Sequence, residues 1–589
     1  MLLHRSGFVR DGAVWARSAR RLTNLLVVPG VWKAVALVAA LHTVPFLAAP
    51  YVTTQDGAAH LYNAELLRTY DAPHSTTLQA LFEPRHGVLS NRVAQLTLTG
   101  LGTILPVHVA EKVLVSAYIL LFVSAAAYAV RSVVPGHTAL LSLLLPLMLA
   151  YPFQMGFYAF SVSVIGYLLA IGYWLRTHAA FGVRPAIVLG ALLVATFLWH
   201  PFSLVAAIPP LALGLLVAAV RRTMTGGTLD RAGLLRELGC IALALLPACV
   251  LFVGFRDESE ATPPHMLIPG PGRIIEQLTT WPVWISFSRW ELPLFGLLLG
   301  TLAVAAMRHL WRKVRQRQWR EADALLAGIA TYLLLYVAVP DAILGGGYVH
   351  VRLMLYASLA TAVWLATQLL GQRERRVLAA TGTVVAALLL AIYAGALRHH
   401  GARLREYTSA LRHVPPHSTL LALSAVPSPE HEGPRRDTGV QPMRHAGGRI
   451  GAGSDVALLN NYQADKPHFA FMFREGRNPY ASIGHIEDFP WCPLTLDAYE
   501  RSGGLPIDVV VVWSPPEERW MQRPAMTTLV QELRGRYELV FVSQPQGSTQ
   551  VWLRRGAARV AGGPGGVGMV TQGRNGGKPR RRELAAAMR

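Results

Sequence analysis

Long apolar runs separated by short arginine-bearing breaks dominate the first two thirds of the chain, and the pattern then stops. The runs fall at approximately 31–49, 108–130, 138–151, 158–175, 186–199, 203–220, 235–254, 291–307, 322–339, 353–370 and 377–396. An α-helix needs about 20 apolar residues to cross a hydrocarbon core roughly 30 Å thick. The pattern therefore predicts about eleven membrane-spanning helices. Segment 91–106 is also apolar, but it holds Gly100, Gly102 and Pro106. Read as a span it would invert every later loop, so an interfacial or re-entrant helix is expected there.

Beyond residue 396 the period changes. Val509–Trp513, Leu539–Val542 and Gln550–Leu553 read as strands and Thr527–Leu533 as a helix, which suggests a small α/β module. The stretch from Pro427 to Gly453 is rich in Pro, Gly and Arg and reads as a long loop. The expected fold is an α-helical polytopic membrane protein with a small C-terminal extracytoplasmic α/β domain. Its parts are a cytoplasmic lead-in (1–30), a membrane domain (31–396, first outer loop about 50–107), the α/β domain (397–555) and a disordered basic Gly-rich tail (556–589).

Charge orients this picture. The chain carries a net charge of +21, yet only 15% of its residues are charged, against about 25% in soluble domains. The arginines cluster in short loops: Arg5 to Arg21, Arg131, Arg176 and Arg184, Arg221 to Arg236, Arg308 to Arg320, and Arg373 to Arg376. All six groups fall on one side if the runs alternate direction. That is the positive-inside signature of a bacterial inner-membrane protein rather than a nucleic-acid footprint. It places the N-terminus in the cytoplasm and the C-terminal domain outside. The first 30 residues lack a compact apolar core with a cleavage site and read as a lead-in, not a signal peptide. Cys240 and Cys249 lie in an apolar run and Cys492 stands alone, so neither a disulfide framework nor metal spacing is present.

Candidate chemistry gathers in the outer segments. Asp56 follows the first run closely, with His60 at i+4 and Asn63 at i+7, so all three share a face if a helix begins there. An Asp and a His so placed can share a proton, hold a divalent ion or orient a hydroxyl. The plain alternative makes Asp56 an N-cap and His60 a surface residue. A second group is Gly345-Gly346-Gly347-Tyr348-Val349-His350-Val351-Arg352. Its glycines allow close backbone approach, and Arg352 on the positive-poor side calls for an anion such as a lipid phosphate. The alternatives are an ion pair with Asp341 or Glu291, or snorkelling. Trp199-His200-Pro201 marks a sharp turn, and the loop around Arg256, Asp257, Glu258, Glu260, Trp281, Trp284, Arg289 and Trp290 mixes charge with interfacial aromatics.

An acidic residue just past the first span, in a long outer loop before a many-helix body with a soluble C-terminal domain, resembles the GT-C superfamily of membrane glycosyltransferases. That group includes protein O-mannosyltransferases and the aminoarabinose transferases of lipid A. The resemblance implies an inverting transfer of a sugar from a polyprenyl-phosphate carrier to a lipid, glycan or protein acceptor. It implies Asp56 as base or acceptor-orienting group beside His60. Arg352, His350 and Tyr348 would hold the donor phosphate, with Asn63, Glu65, His200 and Arg289 in support. Many members carry two adjacent acids at the motif and another in the second outer loop. This chain has Gln55-Asp56, and its turn Tyr151 to Tyr158 holds no acid. Those departures weigh against a divalent metal, for which His60 or Glu65 would have to substitute, and no other cofactor is implied. Membrane lipids are the expected surroundings and nucleic acid is not a partner. The rival readings are a transporter or flippase, a non-enzymatic envelope assembly protein, and a polymerase or ligase of lipid-linked glycans. No Walker loop, nucleophile elbow or zinc motif is found in the sequence.

Overall fold

The computed structural model describes residues 29–86, 90–225, 228–258, 272, 274, 284–344, 346–426, 439–484, 486–514 and 523–556. Residues 1–28 of the lead-in, Gly345, Glu260, Trp281, the first part of the Pro-rich stretch (427–438) and the tail after 556 lie outside them.

Every predicted apolar run is helical. Among the described residues eight helices, against about eleven expected, are long and apolar enough to cross a membrane: Val107–Val130, Tyr158–Ala180, Pro201–Thr223, Arg231–Arg256, Glu291–Gln316, Glu321–Ala338, Val349–Ala366 and Gln372–His413. Pro135–Leu143 and Leu145–Gln154 form a pair bent by 51°, which counts as a ninth if it is one span. Lys33–Ala48 and Val183–Trp199 are shorter apolar helices. The awkward segment 91–106 forms the helix Val93–Gly102, ten residues long. At 1.5 Å per residue that is about 15 Å, half the hydrocarbon thickness.

The helix ends sort into two groups. At one end the arginine-bearing breaks meet each other. Arg222 pairs with Glu237 at 2.7 Å, Arg221 with Glu321 at 2.8 Å, and His309 with Glu374 at 2.9 Å. Buried Asp323 binds both Lys313 and the Trp364 indole at 2.9 Å. At the other end the polar segments meet. The Asp56 amide donates to the Met155 carbonyl at 2.9 Å and the Asn91 amide to Leu198 at 3.3 Å. Tyr348 packs on Tyr151 and Phe157 with ring centroids 6.1 and 5.5 Å apart. This is the grouping that alternating spans require.

The helix Gln372–Thr408 has 37 residues, about 55 Å, so it overruns a 30 Å core. The apolar run read to residue 396 ends where Arg398, Arg403, Arg405 and Glu406 begin, and the helix continues past it toward the sheet.

Two short ladders accompany one sheet. The strands are β1 (Phe82–Pro84), β2 (Met224–Thr225), β3 (Thr228–Leu229), β4 (Thr419–Ser424), β5 (Ala457–Leu458), β6 (Phe471–Phe473), β7 (Val509–Trp513), β8 (Tyr537–Val542) and β9 (Thr549–Arg554). β2 pairs β3 antiparallel. The five-stranded sheet runs β5-β4-β7-β9-β8, parallel across β5, β4 and β7 and antiparallel at β9 and β8. β4 and β7 are buried along their whole length. Such strands read as continuous apolar runs, which is why Val509–Trp513 was legible. Helix Pro524–Arg536 encloses the expected Thr527–Leu533.

The first outer segment is not an irregular stretch, in keeping with the helices expected at Asp56 and within 91–106. It folds into helices Gly57–Thr69, Thr76–Leu81 and Val93–Gly102, and β1 pairs antiparallel with β6 of the C-terminal part. The Pro/Gly/Arg-rich stretch is not wholly loop either, because Gly447–Ser454 is a helix. It lies so close to the Asp56 helix that a Cβ on Gly448 would sit 2.2 Å from the Ala58 carbonyl oxygen. A buried ion pair, Arg449 to Glu111 at 3.0 Å, ties that helix to the span Val107–Val130. The first outer segment and the C-terminal part thus form one body over one end of the helices.

Candidate active site

Asp56 stands at the N-cap position of Gly57–Thr69, but its side chain makes no capping hydrogen bond. The plain N-cap reading therefore fails. The backbone is held instead: Gln55 and Asp56 amides donate to the Gln154 and Met155 carbonyls at 3.1 and 2.9 Å. The acid-free turn is thus the clamp for the acid. Gly156 makes this approach possible. Its φ is +87°, and a Cβ there would lie 2.8 Å from the Gly57 nitrogen and 2.9 Å from that of Asp56.

The Asp56 carboxylate is buried and faces side chains from the C-terminal part. His445 Nε2 lies 3.5 Å from its Oδ1, and the Tyr462 hydroxyl and Gln55 side chain hydrogen-bond to it. Burial pushes the Asp56 carboxyl up to about 7, against the pull of those hydrogen bonds and of Arg444. His60, one turn on, packs against the Tyr158 and Phe469 rings at 5.5 and 6.2 Å. Burial brings its imidazole down to about 4, so it is neutral near pH 7.

Asp56 and His60 open into a cavity of about 430 Å³ that Arg352, Tyr348 and His200 also line. Arg352 is 8% exposed. Among the described residues it has no ion pair, and its buried Nε has no hydrogen-bond partner. Neither alternative partner forms an ion pair with it among the described residues. Asp341 accepts from the His350 amide at 2.8 Å. Glu291 accepts from the amides of Ser286, Phe287 and Ser288 at 2.7–2.9 Å. What surrounds the guanidinium is aromatic, with Phe157, Phe160 and Phe202 rings 5.2, 5.1 and 5.7 Å away. Val205, Phe252 and Phe255 make a further wall of the cavity apolar. Val205 and the neighbouring Val253 are 37% and 55% exposed on the outer surface of the helices. The cavity thus runs from a carboxylate, past a cation with no ion pair among the described residues, to an apolar flank.

The remaining predicted residues separate cleanly. Tyr348 lines the cavity in a left-handed backbone conformation, φ +60°. His200 lines it while its Nδ1 accepts from the Phe202 amide at 3.2 Å. His350 does not line it: this 1% exposed ring bonds the Val339 carbonyl at 2.9 Å and braces the backbone beside Arg352. Asn63 is fully buried against Asn461 and Gln463 at 2.9 and 3.0 Å, locking the Asp56 helix to the C-terminal part. Glu65 pairs with Arg68 and faces a different hollow. Arg289 is exposed away from the cavity.

The residues that sequence reasoning missed come from the C-terminal part. Tyr462, Lys466, His468 and Phe469 line the cavity. His445 packs against Tyr462 with ring centroids 4.3 Å apart and planes tilted by 31°, and its Nδ1 lies 3.2 Å from Glu487. The donor set around Asp56 is one carboxylate with imidazoles and phenols. Among the described residues no group of three or more His, Cys, Asp or Glu is placed to hold a metal ion.

No protein-family model matches the chain, and no curated protein matches it.

Proposed function

We propose that the protein is a membrane glycosyltransferase that moves a sugar from a polyprenyl-phosphate carrier to an acceptor hydroxyl on the extracytoplasmic side. The observation that carries this reading is one cavity holding buried Asp56, Arg352 with no ion pair among the described residues, and an apolar flank. A lipid-linked sugar phosphate has three matching parts: an anion, a polar ring and a hydrocarbon chain. In the transfer, Asp56 accepts the acceptor's hydroxyl proton as the oxygen bonds to the anomeric carbon. The carbon–oxygen bond to phosphate breaks and its electron pair leaves with the polyprenyl phosphate. Arg352 faces the charge that develops there, in surroundings dry enough to strengthen the interaction. The aromatic walls suit stacking on a sugar ring.

A transporter would place ionisable groups or broken helices near mid-membrane along a path. One bent pair, Pro135–Leu143 and Leu145–Gln154, is of that kind, but the cavity's Asp56, His60 and Arg352 gather at one end of the helices, under a folded cap. That favours chemistry at the membrane surface.

The test uses the full chain in proteoliposomes with a set of radiolabelled polyprenyl-phosphate sugars and cell-envelope acceptors. Asp56→Asn should lower transfer about 10²–10⁴-fold, the usual range for a general base, with the protein folded. Full transfer by that variant would remove Asp56 from the mechanism. Transfer by none of the donors would favour the transport reading.

A further inference from the structure

Glu487 is an acid that the transfer step does not use. It lies in the short turn Ile486–Asp488, far from Asp56 in sequence. One imidazole links the two. His445 Nε2 is 3.5 Å from Asp56 Oδ1, and His445 Nδ1 is 3.2 Å from Glu487 Oε2. The other Glu487 oxygen, Oε1, accepts from the Tyr480 hydroxyl at 2.8 Å. His445 packs against the Tyr462 ring with centroids 4.3 Å apart and planes tilted by 31°, and among the described residues its Nδ1 has no hydrogen-bond partner, so the 3.2 Å approach to Glu487 Oε2 is a charge contact that must realign to pass a proton. An imidazole between two carboxyls can take a proton at one nitrogen while releasing one at the other. The side chain of Asp56 is 10% exposed and that of Glu487 21%, so the line runs outward.

We propose that Asp56, His445 and Glu487 form a proton relay that carries the proton collected at Asp56 out of the cavity and into the C-terminal part. This rests on the transferase reading for the source of the proton. Asp56 returns its proton to Nε2, the Nδ1 proton passes to Glu487 Oε2, and the two carboxyls exchange protonation state. No redox partner is needed, and exchange with solvent restores the ring tautomer. His445 and Glu487 are positioning residues, since they act through Asp56. It also gives the C-terminal part a chemical role: it completes the site.

The groups facing the relay set its pH range. Arg444 sits 3.8 Å from Glu487 and 3.4 Å from Asp488. Arg444 and His60 both disfavour a charged His445, and burial does so most. Burial also raises Glu487 to about 7, with the charges of Asp56 and Asp488 adding to the rise and Arg444 and Tyr480 opposing it. Two acids of matched affinity on either side of a neutral imidazole hold protons as a coupled pair.

The test is infrared difference spectroscopy of the protonated-carboxyl stretch across pH, on full-length protein in nanodiscs, with no substrate added. Asp56→Asn and Glu487→Gln identify the two bands. The relay predicts that Glu487→Gln lowers the Asp56 midpoint by about one unit or more. It also predicts that His445→Gln makes the two bands titrate independently. An Asp56 midpoint unchanged in both variants overturns the relay. If His445→Gln does not fold, Glu487→Gln alone decides. Because the readout needs no donor, coupled bands in a protein that transfers no sugar would keep the relay and discard the transferase reading. Transfer without coupling would do the reverse.

Discussion

At the scale of the residue, burial sets the behaviour of the site. Asp56 has an ordinary value of 3.8 and is raised to about 7. The folded state therefore keeps a proton that the unfolded chain has released between about pH 4 and pH 7. Its stabilising effect is full below 3.8 and is lost as pH rises through 7. Glu487 acts in the same direction from 4.5 to about 7. Buried neutral His60, brought down to about 4, acts the other way below pH 6.5, so the readout is a difference: between pH 5 and pH 7 the thermal midpoint of Asp56→Asn in detergent should fall less, or rise more, with pH than that of the wild type; an unchanged slope would show that Asp56 is not buried as described. The same shift governs chemistry. A base must be ionised, so transfer should rise through about pH 7 and then level off, with Glu487→Gln moving the rise to lower pH. Asp56 was legible because it closely follows a span. His445 and Glu487 were not, because nothing in a Pro/Gly/Arg-rich stretch marks one histidine as the partner of an acid some 390 positions earlier.

At the scale of the element, close backbone approach builds the site. The turn around Gly156 looked empty because it carries no acid, yet its carbonyls fix the Asp56 backbone. Gly156→Ala forces a side chain into φ +87° and against the Gly57 and Asp56 nitrogens. A loss of about 1–3 kcal/mol is expected, read as a lower thermal midpoint together with weaker transfer. Wild-type behaviour would show that the turn can give way. The Arg449–Glu111 pair acts as a bolt between cap and helices. Replacing one partner should destabilise by about 3–5 kcal/mol, and replacing both by apolar residues should recover most of that. Apolar helices were readable from run length alone. β1 and β6 were not, because a three-residue strand has no period to read and its partner is remote.

At the scale of the whole molecule, the account depends on which ends of the helices lie together. Arginines in alternate breaks predicted two groups, and the contacts at Arg222–Glu237 and Asp56–Met155 display two groups. Which group faces the cytoplasm follows from positive charge. An impermeant thiol reagent on intact cells should label Glu475→Cys and not Arg373→Cys; the opposite pattern would invert the membrane orientation. The first outer segment and the C-terminal part, remote in sequence, pack together in the cap. Their union depends on long-range contacts such as Asn63 with Asn461 and Gln463, which no local pattern encodes.

The most direct test of the central claim is the binding of polyprenyl phosphate itself, without any sugar, to the purified full-length protein. A ligand that binds the folded state raises its thermal midpoint in proportion to occupancy. With Arg352 as the phosphate partner, polyprenyl phosphate should raise the midpoint of the wild-type protein and of Asp56→Asn, and leave that of Arg352→Gln nearly unmoved. An equal rise in Arg352→Gln, or no rise in any of them, would contradict the placement of a lipid phosphate in this cavity.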